Sequence, residues 1–171
     1  MCSLCDGMSE EDFNRNIAEK IDEYGWFITG VEPSPGELWW LYTVGLLEGF
    51  GHPELVLIGL PQHQVMRILN GLGNEIRAGA RIDPNNPGNR SDGLTFGPVA
   101  PEQWRLGTFA GWTDYYRWRG EGPDDPSAVQ VFLNGWPETR SVLLTQPELG
   151  LHDVPAPRPA RRHHRRPRSR A

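Results

Sequence analysis

Four side chains in one stretch carry groups that could act together: the phenol of Tyr42, the hydroxyl of Thr43, the imidazole of His52 and the carboxyl of Glu54. An imidazole exchanges protons near neutral pH, and a carboxylate two residues on can orient it or pair with it. Loops at strand ends are common places for sites. His52 and Glu54 are therefore the candidate catalytic residues. Tyr42, Thr43, His52 and Glu54 are the candidate binding residues. The same residues also suit an ordinary turn, in which Gly49 and Gly51 take unusual backbone angles, Pro53 opens the next strand and His52 bonds the backbone. Spacing alone supplies no second catalytic partner.

Cys2 and Cys5 form a second constellation, Cys-x-x-Cys. Two thiolates at this spacing can hold one side of a tetrahedral zinc ion or cycle as a redox pair. Zinc needs two more ligands. No second Cys-x-x-Cys exists, so His52, His63 or His152 would have to be brought in by the fold. A redox reading is weaker, because the motif lies at the N-terminus and not between a strand and a helix. Two free thiols are the plain alternative.

The elements around these groups follow from pattern. Ser9 can cap a helix whose first turn holds Glu10, Glu11 and Asp12, with Phe13, Ile17, Ile21 and Tyr24 at helical spacing and Gly25 as its stop. Residues 26–32 read as a strand. Residues 38–46 read as a second, apolar on both faces and so central in a sheet. Glu48 to Glu54 reads as a loop, and residues 55–60 as a third strand. Pro61 suits the first turn of a helix with Val65, Ile68, Leu69, Leu72 and Ile76 on its buried stripe. Residues 83–93 are a polar loop, 94–99 a weak strand and 129–133 the last strand. Phe109, Trp112, Tyr115 and Tyr116 keep helical spacing. Together with Trp104 and Trp118, and with Arg105, Arg117 and Arg119 between, they form either a stacking platform or, better supported, a helix covering a sheet. Of Trp39 and Trp40, adjacent in a strand, at least one is expected to be partly exposed or covered by another element.

These elements predict one α+β domain over residues 1–153. Its sheet is mainly antiparallel or mixed, with about five strands flanked by two or three helices. Residues 154–171 read as a disordered Pro/Arg-rich tail. All 22 acidic residues precede Val154, so residues 1–157, with ten basic residues, carry −12 while residues 158–171 carry +7. The tail, Arg158 to Arg170, could contact nucleic acid or an acidic surface through charge alone. Charge also allows it to fold back on the acidic body. No run approaches the roughly 18 apolar residues of a membrane span, and Met1 to Glu11 lacks the basic and apolar regions of a signal peptide. A cytoplasmic protein is the expectation. Phosphate-binding glycine loops and a Gly-x-Ser-x-Gly elbow are absent from the sequence.

Tyr42-Thr43-Val44-Gly45-Leu46, Gly51-His52-Pro53-Glu54-Leu55 and Gly59-Leu60-Pro61 resemble the domain of unknown function 4262 family of bacteria. The resemblance continues at Gly25-Trp26, Ile68-Leu69-Asn70, Val129-Gln130-Val131, Trp136-Pro137 and Gln146 to Gly150. Glu138 stands where the family usually has Asp. The Cys2 to Asp6 start resembles actinobacterial members. The likeness covers roughly residues 2–150 and implies a small bacterial intracellular domain. It supplies no activity, and the basic tail departs from the usual family end.

Three functions are compatible with these features. A ligand-binding or protein-interaction module is favoured, because the candidate groups are not grouped by spacing as an enzyme requires. A metal-dependent or His/Glu-based small hydrolase is the alternative. Weak nucleic-acid association through the tail is the third.

Overall fold

The computed structural model describes residues 8–31, 38–84 and 92–136. Helix α1 (Glu10–Tyr24) starts where Ser9 accepts a hydrogen bond from Asp12 N at 3.1 Å and ends at Gly25, whose φ is +92°. These are the expected cap and stop, although Tyr24 is exposed, with Lys20 over its ring. Strand β1 (Phe27–Val31) and strand β2 (Trp40–Val44) follow. Next comes a departure from the expected loop: a five-residue helix, α2 (Leu46–Phe50), bounded by Gly45 at φ +111° and Gly51 at φ +59°. Five residues cannot hold a helix by propensity, so tertiary contacts must hold this one.

Strand β3 (Glu54–Ile58) leads into α3 (Gln62–Arg77), with Pro61 just before its first turn. Strand β4 (Leu94–Pro98) follows, then a short helix the sequence pattern did not disclose, α4 (Glu102–Arg105). Helix α5 (Ala110–Arg119) and strand β5 (Ala128–Leu133) complete the described fold. The sheet order is β1-β2-β3-β5-β4, with β3 and β5 parallel and the other pairs antiparallel. This is a mixed five-stranded sheet in an α+β fold. All five residues of β2 and of β3 are buried, as their two-faced apolar pattern requires.

Each face of the sheet has its own core. On one, Val65, Leu69, Leu72 and Ile76 of α3 pack against Leu41, Leu55, Leu57, Val129 and Val131. The buried Gly73 belongs here too. A Cβ at this position would lie 2.6 Å from the Trp26 ring, so only glycine lets α3 and that indole meet. Trp26 Nε1 also donates to Asn70 Oδ1 at 3.0 Å. The other face is aromatic. Tyr42, Val44, Val56 and Ile58 lie under Ile17 of α1 and under Phe109, Trp112, Tyr115 and Tyr116. Trp40 lies on this face and is buried, while Trp39 is partly exposed. Among the described residues no helix is long and apolar enough to cross a membrane.

Candidate functional site

The sequence from Thr43 to Glu54 turns twice on left-handed glycines, and this returns the start of β3 to the end of β2. Glu54 is thereby placed beneath the first turn of α2, fully buried. Its carboxylate accepts from Thr43 Oγ1 at 2.7 Å and from the backbone N–H groups of Gly45, Leu46 and Leu47 at 2.9, 3.2 and 3.3 Å. Helix α5 adds a fifth donor, Trp112 Nε1, at 3.3 Å. Three of these groups are the unsatisfied amides that open any helix, which favour an anion. Thr43 Oγ1 in turn accepts from Leu55 N at 2.8 Å, locking β2 to β3. Burial pushes the Glu54 carboxyl up to about 7, against the pull of Thr43 and the three amides toward the ionised form.

His52 lies two residues away but faces elsewhere. Its Nδ1 lies 2.7 Å from the Pro53 carbonyl oxygen, and its Nε2 accepts from Ile82 N at 3.1 Å. Both ring nitrogens are thus engaged by backbone. This pairing assigns the proton to Nδ1 and ties the turn after α2 to the segment after α3. Burial holds the imidazole below its ordinary value. Tyr42 is buried on the aromatic face, where its hydroxyl accepts from Gly111 N at 2.9 Å, and burial drives the phenol upward. Of the four predicted residues, the structure joins Thr43 to Glu54 and directs Tyr42 and His52 to other partners.

Three residues not singled out as a group complete the cluster. Tyr116 donates its hydroxyl to Glu48 Oε2 at 3.1 Å. Arg119 grips the same carboxylate with both terminal nitrogens, at 2.9 Å to Oε2 and 2.8 Å to Oε1. Arg119 also lies 3.4 Å from the Tyr115 hydroxyl. Burial, with the nearby charges of Glu54 and Glu48, pushes the Tyr116 phenol upward. Beyond it Tyr115 leads to Trp118, which is 41% exposed, through a ring contact of 6.2 Å. The alternating Arg and aromatic residues of α5 were the visible signal for this cluster. Glu48, 71 positions before Arg119, carried none.

Of the metal candidates, His52 and His63 lie among the described residues. Cys2, Cys5 and His152 lie outside the described residues, as do Arg158 to Arg170. His63 is exposed at the start of α3. Among the described residues no group of three or more His, Cys, Asp or Glu side chains is arranged to hold a metal.

Comparison with known proteins gives one result: the family model described as Domain of unknown function (DUF4262) matches residues 20–148. No curated protein and no solved structure matches the chain. The matched region runs from within α1 past β5 and includes every residue of the Glu54 and Glu48 clusters. The chain belongs to the DUF4262 family.

Proposed function

We propose that the chain is a small ligand-binding or protein-interaction module whose recognition surface is the seam between α2 and α5. The supporting observation is how its polar groups are used. Tyr42, Thr43, His52 and Glu54 spend their hydrogen bonds inside the protein. Glu48, Tyr116, Arg119 and Trp118 instead form a linked polar and aromatic group that reaches solvent, the Glu48 and Arg119 side chains each being 34% exposed. Aromatic rings with one polar end and an arginine are the residue types that anchor interfaces. The test is a titration of isotope-labelled protein with benzamidine, benzoate and phenol, followed by NMR. At least one probe is expected to shift the Trp118 indole and Arg119 Nε signals saturably, and Trp118→Ala should remove that response. Absence of any saturable shift at the seam overturns the reading.

A small hydrolase is the second reading, favoured by the Glu54 carboxyl held near neutrality. Hydrolysis of p-nitrophenyl acetate separates the two. A rate lost in folded Glu54→Gln supports the hydrolase, and equal rates remove it. Zinc at Cys2 and Cys5 belongs to this second reading. Stoichiometric zinc that disappears in Cys2→Ser/Cys5→Ser supports it, and metal at background level discards it.

A further inference from the structure

Helix α2 keeps its own short backbone ladder, Gly49 N to Gly45 O and Gly51 N to Leu47 O, and is otherwise fastened by hydrogen bonds from other elements. Its five residues lie between two glycines in the left-handed region, Gly45 and Gly51. Those are positions where backbone angles change at low cost. The inner side of α2 rests on Glu54 through three amides, and Leu46 is buried in the aliphatic core. Its outer side is fastened by Glu48, gripped by Arg119 and Tyr116 of α5. At its far end Phe50 meets the Trp26 ring edge-on at 6.5 Å, and Arg81 donates to Gly51 O at 2.7 Å. Glu54 and Trp112 lie beneath it.

We propose that α2 is a hinged flap over Glu54, with Gly45 and Gly51 as its hinges and the Glu48–Arg119–Tyr116 clasp as its latch. Opening breaks the clasp, withdraws the three amides from the carboxylate and presents Glu54, Thr43 and Trp112 to solvent. The buried Leu46 side chain keeps the closed form dominant. This motion belongs to the free protein and requires no ligand at the seam.

Native-state amide hydrogen exchange of the full chain tests it. The amides of Gly45, Leu46 and Leu47 are compared with those of Val129 and Val131 in β5, which report global unfolding. In the wild type the α2 amides should exchange at least tenfold faster than the β5 amides. Glu48→Ala removes a contact that the open and the globally unfolded states both lack. It should therefore raise α2 and β5 exchange by one common factor, about three- to fivefold. A rise in β5 exchange without one in α2 would mean that opening leaves the clasp intact and overturns the latch. Arg119→Met, which cuts the same clasp from α5 and leaves α2 unaltered in sequence, should do the same. Exchange of the α2 and β5 amides at one common rate overturns the flap. So does α2 exchange that neither variant changes.

Discussion

The two faces of the sheet are built from different materials. Under α3 the core is mostly aliphatic, and its helix presents Val65, Leu69, Leu72 and Ile76 in a regular stripe. Under α1 and α5 the core is aromatic, with Glu54 buried and the Tyr42 hydroxyl enclosed. The aliphatic face is held by burial, which is non-directional and tolerant of shape. The aromatic face is held by bonds that require particular atoms: Tyr42 to Gly111, Glu54 to Trp112, Glu48 to Tyr116 and Arg119. One face supplies the fold. The other supplies a specific junction with α5, and the proposed flap spans the two, with Leu46 and Phe50 in the aliphatic core and Glu48 in the clasp.

The largest effect that would sharpen this contrast comes from Glu54→Ala. It leaves several buried donors without an acceptor at ~1–3 kcal/mol each, partly offset by removal of a buried carboxyl, for a net loss of roughly 4 kcal/mol. Chemical denaturation measures it, and a loss below ~1 kcal/mol would break the contrast. Leu69→Ala on the aliphatic face should cost ~2–5 kcal/mol through the cavity it opens, with the same cost at pH 5 and pH 8.

Next in size is pH dependence. The folded Glu54 carboxyl, at about 7, binds its proton more tightly than an ordinary one at 4.5. Its contribution to stability is therefore complete below about pH 4.5 and is lost as pH rises through 7, amounting to about 3 kcal/mol. Glu54→Gln should abolish that alkaline loss. His52 has the opposite sign. Held below its ordinary 6.5, it contributes fully above that value and loses the contribution as pH falls through its folded value. Denaturation curves across pH 4–9 for the wild type and Glu54→Gln separate the two, because only the His52 limb should persist in the variant.

How much of this was legible in the sequence divides along the same two faces. The α3 stripe, the Ser9 cap, the Gly25 stop and the buried strands β2 and β3 all follow from local period and composition, because their causes lie within a few residues. Helix α2 was hidden, since its two end glycines and single buried Leu46 read equally well as a loop. The partners of Tyr42, Glu54 and Glu48 on α5 lie 69, 58 and 68 residues away, and no spacing rule reaches that far. His52 and Glu54 look paired in sequence. The turn at Pro53 points one to the backbone and the other to the helix.

Smaller effects grade the junction further. Tyr42→Phe removes one acceptor from Gly111 N and should cost about 1 kcal/mol. Glu48→Ala breaks a partly exposed ion pair and should cost under ~1 kcal/mol of global stability, matched by an equal fall in the free energy of α2 opening. A Glu48→Ala cost matching that of Glu54→Ala would show that the seam is core and not surface.

The central claim is that Glu54 is sealed among five donors beneath α2. Its most direct test is carbon-detected NMR titration of the Glu54 side-chain carboxyl in the folded protein. The expected result is a midpoint near 7. A midpoint near 4.5 or below would mean that burial does not outweigh the pull of the donors, and would contradict a carboxyl sealed from water.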